Sequence, residues 1–388
     1  MRRIAILFLL LCLPAWAAFT ERYVSVAGAG AHNGSVGGEW TLAEAFAGAA
    51  AGDRVNILSG NYSSGAVTLS AAGTAVSNIT YRGYASSIGD LDSVQRGATG
   101  TLVTTNFPVI TCTGIIQSLG YTNFKNLSFT GALSSVLLGN TTADDWGLIS
   151  CSVLNTQNNA AAACVGYDNT CYMIDCDVSC TGAAHGTLID ADAQFTMIGC
   201  RLKATANSNF VSPNDIVAIN NVFIGNAATP IGAGLYINVF SGGTNPVIHG
   251  NTFLGLVTAI SLPNEAPGGL IPFIGNNHIT DCTTYLNNRY SATASTAVVE
   301  YFNRTRDNGT ARTGIGDGVL QNEIASGATG DTTTDFVNPA TADYHLLFAA
   351  PGTGLGIMGL DIGAHSYRTT PPTAASVFVN SGNGGFDQ

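Results

Sequence analysis

Ile149-Ser-Cys151-Ser-Val153, Ile174-Asp-Cys176-Asp-Val178, Ile198-Gly-Cys200-Arg-Leu202 and Ile219-Asn-Asn221-Val-Phe223 are four copies of one pattern, apolar–x–Asn/Cys–x–apolar. Phe124-Lys-Asn126 precedes them, and looser copies follow at Ile248-His-Gly-Asn251-Thr-Phe253 and Ile274-Gly-Asn-Asn277-His-Ile279. The steps between the Asn/Cys positions are 25, 25, 24, 21, 30 and 26 residues. A period of this size marks a solenoid, whose repeats bury their apolar faces only by stacking on one another. Within each repeat the apolar residues alternate at period two, the signature of a strand. The expected architecture is all-β: a right-handed parallel β-helix of about 25 residues per coil, its hand following the crossover preference of parallel strands. Asn126, Cys151, Cys176, Cys200, Asn221, Asn251 and Asn277 should form one interior column.

The remaining composition suits such a coil. Of 388 residues, 46% are apolar, only 10% are charged and 47 are glycine. Gly and Asn serve tight turns between short strands, because both tolerate positive φ. A net charge of −11 with only 14 Lys and Arg excludes a nucleic-acid partner, which would need a basic stripe. Residues 1–17 read as a signal peptide: basic Arg2 and Arg3, an apolar core from Ile4 to Leu13, and a cleavage site at Ala15-Trp16-Ala17. No later segment is apolar for long enough to cross a bilayer as a helix, so no permanent membrane anchor is expected. The mature chain, starting near Ala18, is expected to be secreted or held at the cell surface.

Thr41-Leu-Ala-Glu44 is a capping-box sequence, with Leu42, Ala45, Phe46 and Ala49 on one helical face. A short helix there would cover the open end of the first coil. The expected organisation is a cap with the first strands at 18–62, the coil at 63–300, an irregular loop and closing segment at 301–368, and a flexible tail at 369–388. Of nine cysteines, Cys12 lies in the leader, and Cys151, Cys176 and Cys200 occupy the ladder as a thiol stack. A Cys164–Cys171 bridge would close a short loop, but spacing does not decide the connectivity.

The entry segment "YVSVAGAGAHNG" (Tyr23–Gly34), the alanine-rich cap and "GDRVNILSGNYS" (Gly52–Ser63) resemble secreted right-handed parallel β-helix proteins of the pectate-lyase-like superfamily. The run from Asp335 through Asp343-Tyr-His-Leu to Leu360-Asp-Ile-Gly-Ala-His365 is similar to the closing segment of that group. The resemblance implies an exported protein that binds or processes polysaccharide, with lyases and hydrolases as the enzyme classes. In the lyases of that superfamily, an outer strand face carries carboxylates for Ca²⁺ and substrate beside a Lys or Arg base. On that pattern Lys203 and Arg201 are the catalytic candidates and Asp175 and Asp177 the substrate-binding ones, since alternation exposes all four and stacks Asp177 on Arg201. A base must reach the proton α to the uronate carboxylate, and a cation must neutralise the enolate charge that develops. Asp145, Asp168, Asp192 and Asp215, separated by 23, 24 and 23 residues, could form a carboxylate column for calcium. The plainer reading is that aspartate favours strand-entry turns. The second function class is a non-catalytic adhesion scaffold or tailspike-like glycan binder built on the same coil.

Overall fold

The computed structural model describes residues 19–346 except 94–95, 98–99, 135–136, 141–144, 158–163, 168–169, 183–186, 206–208, 238–245, 263–271, 289–298, 302, 307–309, 314–323, 326–335 and 339–342. The leader, the tail and the closing segment beyond Leu346 therefore fall outside the described residues. The rest is an all-β, right-handed parallel β-helix with a single short helix. Each coil has three faces. The first carries strands such as Asp53–Leu58, Ile79–Tyr84, Thr122–Lys125, Trp146–Ile149 and Cys171–Ile174. The second face is a sheet of eleven described strands, including Val109–Cys112, Asp177–Cys180 and Arg201–Ala204. The third includes Ile116–Gln117, Val165–Tyr167 and Thr258–Leu262. Two longer strands, Thr187–Ile198 and Asn209–Ile219, run from the third face into the first without a break, their pairing shifted between Ala191 and Gln194.

Alternation sends one side of every strand inward, and there the rings stack along the axis. Phe46 meets Tyr81 edge-on at 5.5 Å, Tyr81 stacks on Phe124 at 5.4 Å, and Phe223 lies on Phe253 at 4.6 Å. Helix α1 (Leu42–Gly48) closes the first coil with buried Leu42, Ala45 and Phe46. Its capping box forms as expected, Glu44 N donating to Thr41 Oγ1 at 3.3 Å and Thr41 N to Glu44 Oε2 at 2.7 Å.

The corner between first and second faces explains the repeated motif. The residue ahead of the ladder turns the chain with positive φ: Ser150 52°, Asp175 53°, Gly199 66°, Asn220 55°, Gly250 66° and Asn276 53°. The ladder residue that follows points inward and is fully buried. Asn251 Oδ1 accepts from the backbone N of Asn221 at 2.9 Å and from its Nδ2 at 3.0 Å. Asn251 Nδ2 donates to Ala218 O at 2.9 Å and to Asn277 Oδ1 at 3.0 Å. Asn277 and Asn303 repeat this arrangement, each carboxamide serving peptide groups that the corner has removed from the sheet. In the cysteine coils the thiols do the same at longer range: Cys151 N to Cys176 Sγ is 3.4 Å, and Cys151 Sγ to Phe124 O is 3.3 Å.

Two expectations need correction. Lys125 pairs with Ile149 and Ser128 with Ser152, which places Leu127, not Asn126, in the ladder beside Cys151. Asn126 is the turn residue, with φ 55°, because asparagine suits the left-handed turn as well as the inward column. The coil also continues past the expected boundary at 300. Arg304–Arg306 pairs with His278–Thr280, Thr310–Thr313 with Thr284–Asn288, and Asn303 extends the ladder. Within the expected closing segment, Phe336–Asn338 and Asp343–Leu346 form an antiparallel pair.

The different roles of these asparagines can be tested by thermal or denaturant unfolding. Asn251→Ala strands Asn221 N–H and Ala218 C=O in the interior and should cost about 3–5 kcal/mol. Asn126→Gly keeps a left-handed turn residue and should cost under about 1 kcal/mol. Equal losses would restore Asn126 to the ladder.

Candidate functional site

The outer side of the coil carries two polar groups of interest. The first contains the four residues expected to act together. Asp177 and Arg201 are indeed paired in register on neighbouring strands of the second face. Both are buried, however, at 8% exposure each, although they point outward. The cover is the segment between Tyr84 and Val109, which leaves the coil and lies along it as a strap. Arg96 of the strap donates from Nη1 to Asp177 Oδ1 at 2.7 Å and from Nη2 to Gly199 O at 2.8 Å. The Leu102 N–H donates to the other Asp177 oxygen at 2.8 Å. Nearer the cap, Asp92 pairs with Lys125 Nζ at 2.9 Å. Leu102 and Phe107 are buried outside the continuous core, as is Ile198 on the outer side of the first face.

The exposure expected for this group is therefore corrected. Asp177 holds the strap, Arg201 is buried, and Lys203 alone of the four is exposed, paired in register with Ser179 and Ile224. Asp175 sits half-buried in the corner turn. Burial raises its pKa; Arg96 opposes that shift and Asp177 adds to it. Nothing in the residue types announced the strap, because Arg96 and Asp177 are 81 positions apart.

The aspartate column also divides. Trp146 pairs with Cys171 and Cys171 with Phe195, while Gln194 pairs with Asp215. The position preceding these strand residues is thus held by Asp145, Thr170, Gln194 and Asp215. Asp192 stands two residues earlier, at the register shift, and Asp168 lies outside the described residues. Asp145 is exposed in a turn with φ 50°, whereas Asp215 is 1% exposed. Among the described residues no group of three or more His, Cys, Asp or Glu side chains could hold a metal ion. Among the described residues, Asp145 and Asp215 hold equivalent positions in the column, one exposed and the other buried.

The second group lies on the outer first face near the cap. In register order, one row runs Glu21, Arg54, Thr80, Asn123, Gly147, Tyr172. The adjoining row runs Tyr23, Asn56, Arg82, Lys125, Ile149, Ile174. Arg82 Nε donates to Asn56 Oδ1 at 2.7 Å, and Asn56 Nδ2 donates to Glu21 Oε2 at 2.6 Å. Tyr172 reaches back across Gly147 to donate its hydroxyl to Asn123 Oδ1 at 2.6 Å. A Cβ added at Gly147 would run into Cε2 and Cζ of the Tyr172 ring. The ring therefore lies along the coil surface, over glycine backbone, rather than standing out from it. Burial raises the tyrosine pKa, with Asp145 adding to the shift and Asn123 opposing it.

A crystal structure of pectate lyase Pel9A aligns with 91% of this chain and 98% of its own, at TM-score 0.54 and 12% identity. The fold is a pectate-lyase-like parallel β-helix. A pectin methylesterase from Aspergillus niger also aligns, over 85% of this chain and 96% of its own, but at TM-score 0.39 and 12% identity. No family model and no curated protein matches the sequence. In this β-helix no described helix is long and apolar enough to cross a membrane.

Two measurements test the strap. Removing Arg96 leaves Asp177 covered without its ion pair, so Arg96→Ala should lower the free energy of strap opening by about 3 kcal/mol, roughly a hundredfold in protease cleavage within 85–107. Asp90 supplies a pH dependence. Partial burial disfavours its charge, but the N–H groups of Ala85, Ser87 and Ser86 and the Ser86 hydroxyl prevail, bringing its pKa down to about 2. A depressed folded pKa gives stabilisation that is complete above the unfolded value, about 3.9, and is lost as pH falls towards 2. Pepsin cleavage of the strap should accelerate across that window, and less so in Asp90→Asn.

Proposed function

We propose that this protein acts outside the cytoplasm and binds polysaccharide along the outer first face, with Tyr172 as the platform for one sugar ring. The observation that carries the reading is the Tyr172 ring laid over Gly147 and anchored by Asn123. A ring fixed in this way offers an apolar surface to a pyranose at little entropic cost, with its hydroxyl already satisfied. Arg82 and Lys125, paired in register beside it, stand about 4.8 Å apart and suit carboxylated sugars. Glu21 and Asp92 offset part of that charge, so the face favours acidic glycan without being strongly basic. The leader sequence supports export.

Binding without cleavage is favoured over elimination by the state of the expected catalytic group. Asp177 is occupied in holding the strap and Arg201 is buried, which leaves Lys203 without the adjoining open carboxylate and arginine that proton abstraction requires.

The test is titration with polygalacturonate, alginate and a neutral glucan, with ultraviolet absorbance followed for unsaturated products, with and without Ca²⁺. Expected is retention of the acidic polymers without a rise in absorbance. Tyr172→Ala and Gly147→Val should each weaken binding about tenfold or more while the fold is kept. Undiminished binding in both variants would remove the platform. An absorbance rise that Lys203→Ala abolishes would establish a lyase instead.

A further inference from the structure

Eight cysteines are described, and all are buried as free thiols. Those of the ladder point the same way from successive coils, and their thiols donate to strand carbonyls such as Ile174 O and Met173 O. Cys164 and Cys180 differ. Cys164 stands just before the third-face strand Val165–Tyr167, and Cys180 ends the second-face strand Asp177–Cys180 of the next coil. They approach across a corner from two different faces, and their Sγ atoms lie 3.2 Å apart. Cys171, which could have closed a short loop with Cys164, is instead on the first face, between Trp146 and Phe195 in register.

We propose that Cys164 and Cys180 form a disulfide that staples two neighbouring coils in the exported protein. The oxidant is a small-molecule or enzyme disulfide. One cysteine thiolate attacks its S–S bond, giving a mixed disulfide and releasing one thiolate. The second cysteine thiolate then displaces the remaining half, forming the Cys164–Cys180 bond and releasing a second thiolate. The two protons lost by the cysteines end on the two released thiols, and the two electrons pass to the oxidant. The pair is 0% and 1% exposed, and burial raises the Cys164 thiol far above its ordinary range. The exchange therefore takes place while the corner is still open during folding, and the closed coil then shields the bond. The staple falls where the interior column is built of thiols, whose contacts of 3.3 to 3.5 Å are the longer ones.

The test uses the full chain, folded from denaturant with oxidised glutathione, then unfolded with an alkylating agent present and no reductant. Peptide mapping should recover Cys164 and Cys180 in one linked pair that separates on reduction. Reductant should lower the thermal midpoint of the parent protein and of Cys171→Ala, but not that of the Cys164→Ala/Cys180→Ala double variant. Alkylation of both cysteines before reduction, or a linked pair joining other cysteines, would overturn the proposal. The peptide map decides the matter even where the double variant does not fold.

Discussion

Burial of the corner peptides is the constraint on which this β-helix depends. Strand pairing satisfies backbone groups along each face, but the chain must turn sharply between the first and second faces, and there the pairing is interrupted. An unpaired peptide group inside the coil costs as much as a lost hydrogen bond. From Cys151 onward the inward side chain after the turn meets this need by serving a neighbouring coil, as Asn221, Asn251, Asn277 and Asn303 do in turn. The left-handed turn, the ladder residue and the approximate period are consequences of that one requirement. Coil length still varies, the ladder step running from 21 residues between Cys200 and Asn221 to 30 between Asn221 and Asn251.

The same geometry governs where chemistry can sit. Outward positions are the free ones on a coil, yet an insertion can reclaim them. The strap does so at Asp177, which it takes for Arg96, while its Asp92 offsets only part of the charge of Lys125 on the first face. What it leaves is the ledge around Tyr172, where the only glycine in its stretch of the row makes room for a ring to lie flat.

Much of this was legible in the chain itself, at the level of coils rather than single positions. The period, alternation and capping box led to the right architecture, because each follows from local chemistry. At Asn126 the repeat pattern points one residue off the ladder, since asparagine satisfies both the left-handed turn and the inward column and only strand pairing separates them. The aspartate spacings of 23 and 24 concealed a difference that the ladder could have exposed: Asp145 and Asp215 stand six residues before Cys151 and Asn221, and Asp168 and Asp192 eight before Cys176 and Cys200. Gly147 and Tyr172 stand at equivalent positions of neighbouring coils, so that juxtaposition was within reach of the same alignment. The strap was not, because an insertion's resting place is decided by long-range ion pairs and by the burial of Leu102 and Phe107.

The interior column changes its material part-way along, from thiols to carboxamides, and this makes the rod mechanically uneven. A carboxamide at each carboxamide corner clamps one coil to the next through several short hydrogen bonds, whereas a thiol does so through fewer and longer ones. Pulled apart along its axis, such a rod should yield first in the thiol region on either side of the two coils that the Cys164–Cys180 staple joins, and leave the asparagine end standing as a compact remnant. A protein anchored at one end to a polymer and loaded by flow would thus have a built-in place to give way.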